Sequence, residues 1–262
     1  VFGTVTFIGS RTAFINNYFM EHVLKLYING CSFTAGEAYK FRPFWPSFFE
    51  QDHEIVQNDS YPGCSNHRII RRTIDFINTQ DNPKELVYVV QLTNCERSEW
   101  FDEGKNIWIG RLRDMAVYDD KWRDRPWASN AGHHNDAKPY EDLQKQYFSV
   151  AHTQESLEKS MLDTMAQVIL LQSVFKQNNI DKYVIIPMSE TADPRNHTPN
   201  DTNATYYNEM LNTIDLTHFT DDVISKIAKG LEVSMDNAHP NRAGHETIYR
   251  YILNVLKERT YD

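Results

Sequence analysis

Apolar residues along this chain come in short dense runs, separated by longer stretches in which they recur at helical spacing. Residues 25–29 (KLYIN) form the first convincing run, of strand length, and it ends in Asn-Gly. Residues 54–57 read as a second short strand and residues 86–91 (LVYVVQ) as a third. This last run is almost continuously β-branched or aromatic, as expected of a strand covered on both faces. A fourth strand is expected over residues 183–187. Between these runs, Ile69, Ile70, Ile74 and Ile77 recur at helical spacing with Arg68, Arg71 and Arg72 among them, predicting a helix over 65–77. Residues 154–177 predict a long amphipathic helix and 242–257 a final one, while the aromatic-rich 41–51 is expected to be partly helical, limited by Pro43 and Pro46. Strand alternating with helix implies a parallel sheet flanked by helices, with ligands at the carboxyl ends of the strands.

Two stretches break the pattern. Residues 99–148 hold Trp100, Trp108, Trp122 and Trp127 together with the run GHHND at 132–136. A long connection without clear periodicity is usually a lid or binding loop, and the tryptophans argue against disorder. The expectation is a cap, inserted in a single domain, in which Trp108, Trp122 and Trp127 complete the core or line a pocket. Residues 189–222, rich in Asn, Thr and Asp, are expected to be irregular.

Composition then narrows the class. The chain has 262 residues, is 40% hydrophobic and 24% charged, and carries a formal charge of −9. These values fit one sizeable α/β domain and weigh against nucleic acid as the main partner, since phosphate binding needs a basic face. No run of eighteen apolar residues is present, so no membrane span is expected. Residues 1–19 have neither the basic start nor the apolar centre of a secretion signal, which favours a cytoplasmic location. Met20 is expected to be the natural start, with 1–19 a separate extension. The three cysteines are odd in number and lack paired ligand spacing, so small buried side chains in a reducing compartment are expected rather than disulfides or a metal site. Adjacent histidines do not readily face one ligand sphere, and GHHND reads as a solvated loop.

Four loops carry the candidate chemistry: NGCSFTAGE, NDSYPGCSNHRI, VVQLTNCERSEW and DNAHPNRAGH. The first three each follow a predicted strand, and the fourth precedes the last helix. A serine hydroxyl becomes nucleophilic when a base lies within hydrogen-bond reach, and His239 can be that base. An imidazole must be held in one tautomer, and Asp236, three residues earlier, can accept from its other nitrogen. A glycine at 63 lets backbone approach a substrate closely. Ser32 as a mere helix cap and His239 as a surface-turn residue are the plainer alternatives. His245, six residues beyond His239, is expected to pack or cap locally.

Together, and in this order, the four loops resemble the SGNH (GDSL-like) hydrolase family over most of the chain, from about residue 24 to 256. The resemblance implies a three-layer α/β/α sandwich with a parallel, flavodoxin-like central sheet. It also implies ester hydrolysis without metal or cofactor. By position, Ser32 matches the nucleophile, with Gly30-Cys31-Ser32 in place of Gly-Asp-Ser. Gly63 matches the second-motif glycine and Asn94 the third-motif asparagine, although Leu92 and Cys95 replace that motif's glycine and aspartate. Asp236 and His239 match the Asp-x-x-His motif. The oxyanion hole would then comprise the Ser32 and Gly63 N–H groups and the Asn94 amide, with Thr93 the nearest substitute donor. Arg97 either braces the third loop with Glu99 or meets substrate, and Arg68, Arg71 and Arg72 form a solvated helix face or attract an anion. The family acts on acetylated sugars, short-chain esters, lipids and thioesters. Aromatic residues in the cap tilt the expectation to an O-acetylated carbohydrate or another small polar ester. A catalytically silent protein that binds such a ligand is the competing reading.

Overall fold

The structure, a computed structural model, describes residues 23–35, 44–61, 64–95, 97–102, 107–111, 154–222 and 240–260. In chain order the elements are β1 (Lys25–Asn29), α1 (Ser32–Ala35), α2 (Trp45–Phe49), β2 (Glu54–Asn58), α3 (Asn66–Thr79), β3 (Val87–Leu92), β4 (Ser98–Asp102) and β5 (Ile107–Arg111). After them come α4 (Gln154–Gln177), β6 (Tyr183–Pro187), α5 (Ala204–Thr213) and α6 (Arg242–Thr260).

The main sheet has the order β2-β1-β3-β6, and every pairing in it is parallel. Its register sets Leu26 beside Val87, Asn29 beside Val90, and Leu92 beside Pro187. A parallel bridge from Ile185 to Phe219, with the Thr220 N–H donating to the Ile185 carbonyl at 2.9 Å, carries the sheet one position past β6. Burial follows strand position. All residues of β3 and β6 are buried, whereas β2 alternates between exposed and half-buried, as an edge strand does.

Side-chain alternation sends the two halves of each strand to different helices. Tyr27, Tyr88, Val90, Leu92, Tyr183 and Ile185 share a core with α3, α4 and α5. The α4 contribution is a helical stripe of Met161, Met165, Val168, Leu171 and Phe175. On the other face, Leu26, Ile28, Val87, Val89, Val184 and Ile186 pack with Trp45 and Phe49 of α2 and with Ile248, Ile252 and Leu256 of α6. The three expected layers are therefore present, and the strand order and parallel sense agree with a flavodoxin-like sheet. Each large side chain so buried contributes about 1.5–3 kcal/mol of transfer free energy.

Several expected elements coincide with the observed ones: β1, α4 and β6 match residue for residue, and β2, α3, β3 and α6 match within a few positions. Two elements were not expected. An antiparallel hairpin, β4 with β5, pairs Ser98 with Arg111 and Phe101 with Trp108 at the start of the long connection without clear periodicity. Its sequence, SEWFD then IWIGR, clusters apolar residues instead of alternating them, so the two-residue period was hidden. Helix α5 likewise forms within the stretch expected to be irregular, anchored by buried Tyr207 and Met210. The loop before it is braced: Arg195 pairs with the Asp193 carboxylate at 2.7 Å and donates to the Thr220 carbonyl at 2.6 Å, while the buried Glu158 of α4 accepts from Asn200. Residues 1–19, Met20, the GHHND run and, with it, residues 103–106 and 112–148 of the expected cap lie outside the described residues. Among the described residues no helix is long and apolar enough to cross a membrane.

Candidate functional site

The carboxyl end of β1 is held by one asparagine. Asn29 is fully buried. Its Nδ2 donates to the Ile69 carbonyl at 2.8 Å and to the Thr73 and Tyr27 hydroxyl oxygens at 3.1 Å each, while its Oδ1 accepts the Gly30 N–H at 2.9 Å. Both ends of this buried amide are thus engaged, and its nitrogen ties the end of β1 to α3. At Gly30, a Cβ would lie 2.5 Å from Thr34 Oγ1 and 2.9 Å from both Cβ and Oε1 of Gln91. The Gln91 Cβ is fixed to strand β3, so no ordinary side-chain rotation makes room, and the close approach requires glycine.

Ser32 follows as the first residue of α1, with the Thr34 and Ala35 N–H groups both donating to the Cys31 carbonyl at 2.9 Å. Thr34 donates its hydroxyl proton to Gln91 Oε1. The Cys31 thiol lies 3.2 Å from the Met188 sulfur at the end of β6. Ser32 itself is buried, at 8% exposure.

The loop after β2 is laced to this turn. Asp59 N–H donates to the Ile28 carbonyl at 2.9 Å, Tyr61 N–H to the Gly30 carbonyl at 3.0 Å, and the Cys64 thiol to that same carbonyl at 3.3 Å. The Asp59 carboxylate gathers the Tyr27 hydroxyl, the Gln57 amide and Arg72 Nη2 at 3.0, 2.8 and 3.2 Å. Arg68 lies over the Tyr61 ring and donates to the Asp59 carbonyl at 3.0 Å, so it already has partners within the protein. Burial pushes the Cys64 thiol up to about 12, with the neighbouring Cys31 adding to the effect and Arg68 and Arg97 opposing it. Cys64 is therefore a protonated thiol and a hydrogen-bond donor at neutral pH. All three cysteines are buried, and none is in a disulfide. Among the described residues, no group of three or more His, Cys, Asp or Glu could hold a metal ion. Gly63 lies outside the described residues.

The loop after β3 supplies Thr93, Asn94 and Arg97. Thr93 is clamped by Asn66, whose Oδ1 accepts the Thr93 N–H at 2.7 Å and whose Nδ2 donates to the Thr93 carbonyl at 2.9 Å. The Thr93 hydroxyl is buried and turned toward Met188. Asn94 is half-buried, and its Oδ1 accepts hydrogen bonds from the Ser189 and Thr191 hydroxyls at 2.7 and 3.1 Å. Arg97 donates its N–H to the Asn94 carbonyl at 3.2 Å, while its Nε and Nη1 are buried with no hydrogen-bond partner among the described residues. Leu92 and Cys95, which stand in place of a glycine and an aspartate in the family motif, both face the core.

The structure thus brings Ser32, Thr93, Asn94 and Arg97 to the carboxyl ends of the adjacent strands β1 and β3. Asp236, His239, Trp122 and Trp127 lie outside the described residues, and Trp108 lies in β5, opposite Phe101. At the start of helix α6 the Asn241 side chain accepts the Gly244 N–H at 3.0 Å as a cap. His245 packs edge-on against Phe44 with ring centroids 5.5 Å apart. Residues that sequence reasoning passed over are Asn29, Asn66, Gln91, Ser189 and Thr191. For Asn29 and Gln91 a signal was present, since Asn29 closes a buried apolar run and Gln91 interrupts one. Serine and threonine at 189 and 191 gave none.

No protein-family model matches the chain, and no curated protein does either. Among solved structures, it is similar to a psychrotrophic esterase, EstA, from Pseudoalteromonas sp., captured with monoethylphosphonate as inhibitor. The identity is 13%, the overlap covers 91% of this chain and 99% of that one, and the TM-score is 0.48. A lipase, Lip_vut3, from a goat rumen metagenome is similar at 13% identity, over 89% of this chain and 97% of that one, with a TM-score of 0.42. Likenesses this distant do not bear on which reaction the chain performs.

Proposed function

We propose that this protein is a serine hydrolase of the SGNH type that cleaves esters through an acyl-enzyme on Ser32. The observation that carries the reading is the pairing of two adjacent strand ends. One presents Ser32 on a turn fixed by Asn29, Gly30 and Gln91, and the other presents an Asn94 amide whose oxygen is already occupied. Ser32 Oγ attacks the ester carbonyl and passes its proton to His239, which Asp236 holds in the productive tautomer. The negative oxygen of the tetrahedral intermediate accepts from the Ser32 and Gly63 N–H groups and from Asn94 Nδ2. The alcohol leaves with the proton from His239, and water then cleaves the acyl-enzyme by the same steps. Asn94 serves as the side-chain donor because the Thr93 hydroxyl is buried toward Met188. Arg97 and the tryptophans of the cap, Trp108, Trp122 and Trp127, supply the binding surface for a small polar ester, with an O-acetylated carbohydrate the favoured class.

A fluorophosphonate probe, followed by peptide mass spectrometry, tests the nucleophile. Wild type is expected to label at Ser32 and to hydrolyse p-nitrophenyl acetate. Ser32→Ala is expected to lose labelling and to lower the rate by at least roughly 10⁴-fold while remaining folded. Retained hydrolysis by the purified variant removes Ser32 from the mechanism. Folded wild type that neither labels nor turns over favours the silent-binder reading, for which the low exposure of Ser32 and the core-facing Leu92 and Cys95 are the motive.

A further inference from the structure

We infer that Ser189 and Thr191, on the loop leaving β6, are positioning residues that decide which end of the Asn94 amide faces the reacting carbonyl. The inference rests on the hydrolase reading above and extends it to two residues that none of the four loop motifs contains.

An asparagine amide offers one acceptor oxygen and one donor nitrogen of nearly equal size, so its usefulness to a developing oxyanion depends on which of them points at it. Here Ser189 Oγ lies 2.7 Å and Thr191 Oγ1 3.1 Å from Asn94 Oδ1. A separation of 2.7 Å is typical of O–H···O contact and short for N–H···O. With the oxygen held by hydroxyls, the Asn94 NH₂ is turned the other way, and no described residue hydrogen-bonds to it. Ser189 and Thr191 are also 3.0 Å from each other, so two hydroxyl hydrogens serve three contacts and one is shared.

The loop is in turn fixed to the strand ends that carry the site. Met188 N–H donates to the Leu92 carbonyl at 3.0 Å, one step beyond the Leu92–Pro187 register, and Ala192 N–H closes on the Ser189 carbonyl at 2.9 Å. The hydroxyls therefore reach Asn94 from a frame continuous with the sheet. Such preorganisation is what makes an oxyanion donor effective, because it need not reorient as charge develops. The order of events is plain: β6 places the hydroxyls, the hydroxyls turn the amide, and the amide meets the anion.

The test compares kcat, KM and the fluorophosphonate labelling rate at Ser32 in four proteins: wild type, S189A/T191V, N94A, and the three changes combined. Removing one oxyanion donor typically costs roughly 10²–10³-fold in kcat, and losing its orientation forfeits part of that. S189A/T191V is expected to lose about tenfold in kcat and labelling rate at unchanged KM, and to cause no further loss once Asn94 is alanine. The conservative S189T/T191S, which keeps both hydroxyls, is expected to retain the wild-type rate. An undiminished kcat in S189A/T191V, a full additional loss in the N94A background, or an equal loss in S189T/T191S overturns the inference. If the amide were reversed, its oxygen would oppose the oxyanion, and removing the hydroxyls would leave the rate unchanged or raise it. Should wild type show no turnover, the hydrolase reading fails separately, and the Asn94 side-chain ¹⁵N–H₂ signals, assigned by their absence in N94A, still decide the matter. Two sharp resolved signals that shift or broaden in S189A/T191V support a held amide, and unchanged signals refute it.

Discussion

On the face of the sheet covered by α2 and α6, the buried side chains that meet are Leu26, Ile28, Val87, Val89, Val184 and Ile186 against Trp45, Phe49, Ile248, Ile252 and Leu256. On the face covered by α3, α4 and α5, apolar residues are joined by buried Asn29, Asn66, Thr73, Thr93 and Thr164. Both faces exclude water, but they do different work. The first is held by transfer of apolar surface, which is non-directional and tolerates exchange of shape. The second is stitched by hydrogen bonds whose partners are set by angle and distance, and its stitches end at the loops bearing Ser32, Thr93 and Asn94. A buried amide is costly unless satisfied, so Asn29 on that face is justified only by what it holds. The comparison teaches that one face chiefly supplies stability, with Gln91 at the site end of β3 a polar link to the Ser32 turn, while the other transmits geometry to the site through many hydrogen bonds.

The sharpest way to break this contrast is to damage each face equally and compare activity. Ile252→Ala leaves a cavity under α6 and is expected to cost about 2–5 kcal/mol in urea unfolding, with kcat per folded molecule unchanged. Asn29→Leu leaves the Gly30 N–H without its acceptor and removes the donor that ties β1 to Ile69 and Thr73 of α3, and is expected to cost a similar ~2–4 kcal/mol. In that variant, however, ester hydrolysis by the folded fraction is expected to fall at least about tenfold, because the turn before Ser32 is released. Equal kcat in the two variants would mean that the polar face is packing alone.

Gly30→Ala probes the same turn by steric means and is expected to act less strongly. The new methyl meets Gln91 Cβ at 2.9 Å, so the β1 turn must move away from β3, at a cost of about 1–3 kcal/mol. Hydrolysis and labelling at Ser32 are expected to weaken together, since the displaced turn carries the serine. A variant with wild-type stability and rate would show that the approach of Gly30 to Gln91 is not constrained.

How much of this was legible beforehand follows the range of the interactions. Strands β1, β3 and β6 could be read because a strand buried on both faces writes an apolar run, and α4 because its stripe repeats along one helix. The hairpin β4–β5 could not, since its tryptophans and isoleucines are adjacent rather than alternate. Ser32 and Asn94 could be singled out because each sits just past a readable strand. Asn29 could be located but not interpreted, as its partners Ile69 and Thr73 lie forty or more positions away. Ser189 is 95 positions from Asn94, in a stretch whose composition speaks only of loops. Only the strand register, Leu92 beside Pro187, brings them together.

The smallest expected effect concerns the apolar face and a titrating group at its margin. The His53 ring lies 5.9 Å from that of Phe49, and its Nδ1 accepts the Leu24 N–H at 3.4 Å, just before β1. Burial lowers its pKa below the ordinary value of 6.5, and Lys257 reinforces this, while the Asp52 carboxylate opposes it. A histidine with a depressed folded-state pKa binds a proton more readily when unfolded. Its contribution is therefore complete above about pH 6.5, erodes as pH falls through that value toward the folded pKa, and is level below it. Protonation at Nδ1 also removes the acceptor for Leu24. Over pH 7.5 to 5.5, His53→Phe is expected to lose part of the decline in stability seen in wild type, a change below about 1 kcal/mol for one long hydrogen bond. Hydrolysis per folded molecule should be unaffected by the substitution at pH 7.5, because His53 meets the chain at Leu24, at the end of β1 opposite to the one that carries Ser32. Urea midpoints at the two pH values check the first statement and p-nitrophenyl acetate turnover the second. An identical pH slope in both proteins would remove His53 from the account. A fall in turnover at pH 7.5 would show that the Leu24 end of β1 also bears on the site.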